Sequence, residues 1–257
     1  MQDKAALSKV PEVTLGFWII KIAATTLGET GGDALSMTEK LGYAASTGIF
    51  AAIFLAVVLA QIRTNTFRPF LYWTVIVATT TVGTTMADFA DRSLGIGYTG
   101  GSLILAALLM MSLATWWWSV GSVSVSHIAS PKIEAFYWVT ILFSNTLGTA
   151  LGDFLADSGG LGYLGGAVVF AAALAIVAAA YYFSTLSRTL LFWSAFILTR
   201  PLGATVGDFL DKTHAQGGLS LSRITASVAI LVFIVICIVV IPQRAGTHPG
   251  QDEARAS

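Results

Sequence analysis

Charge is what this sequence has least of. Lysine, arginine, aspartate and glutamate together make up 11% of its 257 residues, less than half of the roughly 25% usual in soluble domains. A soluble fold of this length cannot cover its surface with so few charges, so composition points to a membrane protein. Fourteen basic residues balance fourteen acidic ones, which leaves no basic face for nucleic acid. The only cysteine, Cys237, lies in an apolar run and has no partner for an intramolecular disulfide. His127, His214 and His248 all fall in polar connectors or the tail. Zinc-type histidine motifs, a Ser/His/Asp set within an apolar segment and a phosphate loop are all missing, so an enzyme is not expected. GETGG at 28–32 has glycines but not the strand–loop–helix setting of a nucleotide loop. The opening MQDKAALSKVPEVT also lacks the basic, apolar and small-residue order of a cleaved signal peptide.

Apolar residues, by contrast, make up 55% of the chain, and mean hydropathy is +0.77. A spanning helix needs about 20 mostly apolar residues. Eight stretches qualify: about 13–36, 42–62, 69–90, 97–120, 133–156, 162–183, 188–211 and 219–241. Basic residues near span ends set orientation. Lys4, Lys9, Arg63, Arg68, Lys132, Arg188 and Arg244 lie on the side of the N-terminus, against Lys40, Arg92, Lys212 and Arg223 opposite. Seven against four favours both termini in the cytoplasm.

The spans repeat. Phe17-Trp18, Tyr72-Trp73, Tyr137-Trp138 and Phe192-Trp193 each open an odd-numbered span. Ten residues after each Trp comes Gly28, Gly83, Gly148 or Gly203, and fifteen after it Asp33, Asp88, Asp153 or Asp208. Tyr43, Tyr98 and Tyr163 follow the first three aspartates by ten residues, whereas the fourth copy has Gly218 there. The tryptophans are 55, 65 and 55 residues apart, which suggests a two-helix unit duplicated twice. Each unit holds two spans, so all four enter the membrane in one orientation, as parallel repeats. The expected fold is all-α: eight transmembrane helices as four two-helix repeats in two duplicated halves, pseudo-symmetric about the membrane normal. Its divisions are a cytoplasmic N-terminus 1–12, repeat 1 at 13–62, repeat 2 at 69–120, a connector 121–132, repeat 3 at 133–183, repeat 4 at 188–241 and a disordered cytoplasmic tail 242–257.

Aligned, the motifs read TTLGETGGDALS (25–36), TTVGTTMADFAD (80–91), NTLGTALGDFLA (145–156) and RPLGATVGDFLD (200–211). Residues three, four and seven before each aspartate share its helical face, giving a polar stripe that includes Glu29, Thr30, Thr85, Thr149 and Thr205. Fifteen residues of helix cover about 22 Å, which puts the aspartates in the outer third of the membrane. One reading is structural. The glycines form small-xxx-small pairs that let helices approach closely, the threonines bond back to their own helix, and the aspartates cap. The other reading is functional. A carboxylate deep in a span costs about 2.5–3.5 kcal/mol on insertion scales and usually marks an ion pathway or proton relay. Four converging carboxylates need a bound cation or protons.

The stripe has no His or Cys, and oxygen-only ligation suits Mg²⁺, Mn²⁺, Ca²⁺, Na⁺ or H⁺ rather than Zn²⁺ or Cu⁺. Asp33, Asp88, Asp153 and Asp208 are the candidate metal ligands. Arg200 stands where the other copies have Thr25, Thr80 and Asn145; it is expected either to pair with Glu29 or to meet an anionic substrate. Pro201 is expected to kink the seventh span. Lys21, three residues past Trp18, is expected to snorkel to the cytoplasmic surface. The repeated tryptophans and Trp116, Trp117 and Trp118 are expected in the interfacial aromatic belt, with Tyr43, Tyr98 and Tyr163 as belt or gate residues opposite.

With this unit laid out four times over residues 12–241, the chain resembles a bacterial family of membrane proteins built of tandem repeats of unknown function. Each repeat there has two spans and a tryptophan, matched here by Trp18, Trp73, Trp138 and Trp193. The resemblance implies a bacterial inner-membrane protein and no particular activity. The residues point to a hard-cation transporter with a central Asp/Thr-lined site and no cofactor other than a bound divalent cation. A proton-coupled carrier of a small organic or anionic solute using Arg200, or a scaffold or sensor, is the alternative. The expected partners are the lipid bilayer, a small ion or solute and other copies of the chain, with no nucleic acid.

Overall fold

A computed structural model describes residues 8–125, 128 and 130–246. Lys4, His127, His248 and the tail 247–257 lie outside the described residues. Eight α-helices follow one another: α1 (Leu15–Asp33), α2 (Gly42–Arg63), α3 (Pro69–Asp88), α4 (Gly97–Val120), α5 (Pro131–Asp153), α6 (Gly162–Phe183), α7 (Arg188–Asp211) and α8 (Arg223–Val240). Thr14, Ser130 and Ser222 cap α1, α5 and α8 by accepting from the N–H groups of Phe17, Ile133 and Thr225, and Pro69 and Pro131 start α3 and α5. In the first three repeats the α-helix ends at the aspartate and a π-helical turn follows: π1 (Ala34–Thr38), π2 (Phe89–Ser93) and π3 (Phe154–Ser158). The fourth has no such turn; α7 runs on to Asp211 with Pro201 inside it.

Nine residues after each aspartate comes a glycine in the left-handed region: Gly42, Gly97, Gly162 and Gly217, with φ of 75°, 74°, 64° and 83°. Only glycine takes this conformation freely. That explains the Gly preceding each repeated Tyr, and the backbone turn persists in the fourth copy, which lacks the Tyr.

The odd-numbered helices form a closed ring in which α1 packs on α3, α3 on α5, α5 on α7 and α7 on α1. Around it α2 packs on α3, α4 on α5, α6 on α7 and α8 on α1. Each outer helix therefore leans on the ring helix of the following repeat, so the unit of sequence is not the unit of packing. The most apolar stretches of α3, α5 and α7 are 67–72% buried, against 22% for the four outer helices. Outward lie Ile53, Leu59, Leu103, Met110, Val168, Ile176, Val232 and Val239, on helices apolar around most of their circumference, as membrane helices are. Seven helices are long and apolar enough to cross a membrane by length and composition. The sequence suggested eight. α1, which carries Lys21, Glu29 and Asp33, is not among the seven.

Glycine sets the closeness of the ring. A Cβ on Gly28 would lie 2.3 Å from Thr80, one on Gly148 2.3 Å from Arg200 and one on Gly203 2.1 Å from Thr25, while at Gly83 it would meet the Asn145 backbone at 3.1 Å. The same contact thus recurs from each repeat to the next and from the last to the first. Hydroxyls then cross the gap: Thr25 donates to the Thr199 carbonyl at 3.2 Å, and Thr80 and Thr84 donate to the Ala24 and Gly28 carbonyls, each at 3.1 Å. This is the small-residue packing expected of helices in lipid.

The tryptophans do not form a lipid-facing belt. Trp73, Trp138 and Trp193 are buried, Trp18 is half-buried, and each meets the preceding repeat's aromatic. Centroid distances are 5.5 Å for Phe17–Trp73, 5.7 Å for Tyr72–Trp138, 6.5 Å for Tyr137–Trp193 and 5.8 Å for Phe192–Trp18. Trp116 is buried in the same cluster; Trp117 and Trp118 are exposed. Turned inward, the indoles and their aromatic neighbours fill the end of the ring away from the aspartates, as close packing of an interior requires.

Three connecting segments lie under this plug. Pro11 bridges to Ala245, the Gly246 N–H donates to the Val10 carbonyl, and Trp73 Nε1 donates to Gln243. Trp193 Nε1 donates to the Val123 carbonyl, and buried Lys9 pairs with Glu134. Residues 242–246, expected in a disordered tail, are thus part of the closed end.

Glycine packing yields a test. Gly28→Val and Gly203→Val should each cost more than the about 1–3 kcal/mol typical of overpacking, because backbone and hydroxyl both stand in the way. Gly48→Ala, where the added carbon meets nothing within 4 Å, should be neutral. Thermal unfolding in detergent followed by tryptophan fluorescence reads this; equal midpoints for the three variants would refute the packing account.

Candidate functional site

Side chains four residues apart stack in layers along the ring, because four residues are close to one turn. Counted back from the aspartates, these layers are Glu29, Thr84, Thr149 and Ala204; then Thr25, Thr80, Asn145 and Arg200; then Lys21, Ile76, Ile141 and Phe196. One turn beyond the aspartates are Met37, Arg92, Asp157 and Lys212. Every member of the three layers on the aromatic side of the aspartates is buried.

Arg200 occupies the middle. Its Nη2 lies 3.0 Å from Glu29 Oε2, 2.5 Å from Thr84 Oγ1 and 2.6 Å from Thr149 Oγ1. One guanidinium on α7 therefore reaches all three other ring helices. The pairing with Glu29 anticipated from sequence is present. Nε and Nη1 of the same group are buried without a hydrogen-bond partner.

The aspartates are bridged in pairs. Arg92 Nε lies 3.0 Å from Asp88 Oδ1, and its Nη2 lies 3.2 Å from Asp153 Oδ2. Lys212 Nζ lies 2.8 Å from Asp208 Oδ1 and 2.5 Å from Asp33 Oδ2. In both cases the base stands four residues after its own repeat's aspartate and reaches the next repeat's. Arg223 adds contacts of 3.0 Å to Asp211 and 3.8 Å to Asp33. Burial alone would lower the Lys212 ammonium, but Asp208, Asp33 and Asp211 outweigh it and hold the group charged well above the ordinary lysine range.

From sequence, a bound cation or protons are the expected relief for four converging acids. Basic side chains provide a third, and the signal for it was present as a Lys or Arg one turn past the motif. Relief is incomplete, since six paired carboxylates (Glu29, Asp33, Asp88, Asp153, Asp208 and Asp211) share four bases, Arg92, Arg200, Lys212 and Arg223. Oxygens of Glu29, Asp33 and Asp208 come within 4.8 Å of one another, a spacing a hard cation could use.

Other candidates fall elsewhere. Thr30 meets Ser227 of α8 at 2.8 Å, while Thr85 and Thr205 bond back to their own helices. Being three rather than four residues before the aspartate turns them toward the outer helices. Lys21 does not snorkel: it is fully buried and faces the ring's interior, 3.4 Å from Asn145 Oδ1. Thr84, unnamed from sequence as a site residue, joins the Arg200 cluster.

Beyond the aspartates the ring opens into a polar cavity of about 490 Å³ lined by Arg92, Tyr98, Asp157, Tyr163, Lys212 and Arg223, among others. Arg92 donates to the Tyr43 hydroxyl at 3.2 Å and Tyr98 to Asp157 at 3.3 Å, so these tyrosines lean over the aspartates rather than toward lipid. An apolar groove of similar size, about 520 Å³, lies outside the ring between α4 and α5 and has no part in this chemistry.

Four consecutive matches, at residues 16–67, 71–122, 136–187 and 191–243, are to the family model described as Repeat of Unknown Function (DUF347). The chain belongs to the DUF347 family. No curated protein and no solved structure matches it. In this DUF347 protein each match begins just before the aromatic pair and ends past the outer helix, so the plug, the glycine contact and the aspartate all lie within the repeat, whereas Arg200, Glu29 and Lys21 are particular to single copies.

Lys212→Met should leave Asp33 and Asp208 without their base and lower stability by about 3–5 kcal/mol, as unpaired buried charges do. Adding Asp33→Asn should restore part of the loss. Protonating the stranded carboxylates removes the penalty, so the gap to wild type should narrow as pH falls from 7.5 to 5. Melting midpoints at the two pH values measure this; a gap that is unchanged or wider would show that Lys212 is not the counter-charge.

Proposed function

We propose that this DUF347 protein is a membrane transporter of a small anionic solute, coupled to protons carried by the aspartate layer. The reading sets eight helices across a bacterial inner membrane with both termini in the cytoplasm, as four parallel repeats with pseudo-fourfold order about the membrane normal. The observation that carries it is the cavity: three bases, Arg92, Lys212 and Arg223, against one carboxylate, Asp157, line a space of about 490 Å³ at the mouth of the ring together with tyrosine hydroxyls. That is room for an organic or oxyanionic solute, and its bases disfavour entry of a bare cation. The uneven count of acids over bases supports coupling. Buried carboxylates in excess of their counter-charges are neutralised by protons, and an anion drawing Arg92 or Lys212 away changes how many protons the layer holds.

The hard-cation reading keeps one favourable observation, the Glu29, Asp33 and Asp208 oxygens within 4.8 Å, where a divalent ion would displace Lys212. Proteoliposomes separate the two. With a pH dye inside, an inward gradient of phosphate, sulfate or a dicarboxylate should move protons, and Asp33→Asn and Arg223→Gln should each slow the flux about tenfold or more, the loss of about 1.4 kcal/mol or more. Manganese flux, reported by an entrapped metal dye, with no anion-dependent proton movement would replace this reading with the cation one.

A further inference from the structure

The middle of the ring holds a second charge arrangement that the vestibule does not explain. Lys21 takes the position that Ile76, Ile141 and Phe196 hold in the other repeats, and all four side chains have 0% exposure. Among the described residues no carboxylate pairs with it. Its Nζ has the Asn145 amide oxygen at 3.4 Å and the Phe196 ring, with the centroid at 4.2 Å. A ring face and one long hydrogen bond offset only part of the cost of a buried ammonium. The nearest charge is of the same sign: Phe196 is one turn before Arg200, and Arg200 keeps Nε and Nη1 buried and unpartnered. Glu29 is engaged by the other end of that guanidinium, through Nη2. Two cationic groups and spare donors therefore meet where the fold supplies one carboxylate, already in use.

We infer that the layer between Lys21 and Arg200 binds a small monovalent anion, which Lys21 Nζ and the free N–H groups of Arg200 hold from two sides. This rests on the transport reading and deepens it: the layer lies between the vestibule and the aromatic plug, where a solute entering past the aspartates would be held before the plug opens. The other groups facing it are neutral, namely Thr25, Thr79, Asn145 and Phe196, so the anion would meet no opposing charge except Glu29.

The test uses the full-length protein in detergent, exchanged into sodium isethionate, whose anion is bulkier than nitrate or bromide. Replacing isethionate with nitrate or bromide at constant ionic strength should raise the melting midpoint, and calorimetry should give a saturable isotherm. Lys21→Met, which restores the apolar type of the other repeats, should fold and bind nitrate at least about tenfold more weakly. Lys21→Arg should retain binding, and Arg188→Gln, at the exposed start of α7, should leave it unchanged. An isethionate-to-nitrate change that does nothing to wild type, or Lys21→Met binding as wild type does, would overturn the site. Nitrate bound at Lys21 with no anion movement in proteoliposomes would instead sink the transport reading and keep the site. Transport that survives in a Lys21→Met variant with wild-type nitrate affinity would do the reverse.

Discussion

A single buried guanidinium holds the four ring helices in register. Arg200 projects from α7 across the bundle, and its Nη2 is shared by Glu29, Thr84 and Thr149, one partner from each of the other ring helices. Hydrophobic burial cannot set such register inside a bilayer, because lipid is as apolar as the helices it would separate. What remains is close packing and polar contact, and the ring uses both. Gly148 accommodates the Arg200 stem at a distance no Cβ would allow, and the guanidinium then reaches the opposite wall. The arginine depends on the glycine of the preceding repeat, and the ring depends on the arginine.

That dependence explains why the four copies differ where they do. Packing elements recur in every copy because each repeat must fit the next around a closed ring. The aspartates recur as well, but the bases cannot, because four identical arginines at the centre would repel one another, while four aspartates without any base would be costly to bury. At the aspartate layer, even-numbered repeats supply Arg92 and Lys212, and odd-numbered repeats supply the carboxylates of Asp33 and Asp153 that these bases reach. At the aspartate end the bases therefore alternate from one repeat to the next.

Much of this was legible in the sequence, and the failures have specific causes. Helix number, the repeat, the central placement of the aspartates and the Arg200–Glu29 pair followed from spacing and residue type. Trp18, Trp73, Trp138 and Trp193 were misplaced because an aromatic pair near a helix start looks the same whether it faces lipid or fills one end of a ring. Lys21 was misplaced because closeness to a span end suggests snorkelling, and only the ring register shows that it shares a face with Arg200 and Asp33. Thr30, Thr85 and Thr205 were chosen by a face too broad by one residue: a shift from three to four positions turns a side chain from the outer helix to the centre. Arg92 and Lys212 were counted for topology alone, although their place one turn past an aspartate already suggested pairing.

On the transport reading, the two ends of the ring would constrain a cycle differently. At the aspartate end the path is blocked only by side chains, and Arg92, Lys212 and Arg223 can swing on flexible stems. At the aromatic end the closure is built from backbone as well: the Pro11–Ala245 bridge, the Gly246 to Val10 hydrogen bond and the connector beneath Trp193 lie across it. Rearranging the first end costs a few ion pairs, which on that reading an arriving anion would replace. Opening the second requires the terminal segments to leave together, releasing Lys9 from Glu134 and Gln243 from Trp73. On the transport reading the plug end is therefore the slow gate. An ion held at Lys21 and Arg200 would sit directly behind it, closer to the obstacle than to the vestibule by which it entered.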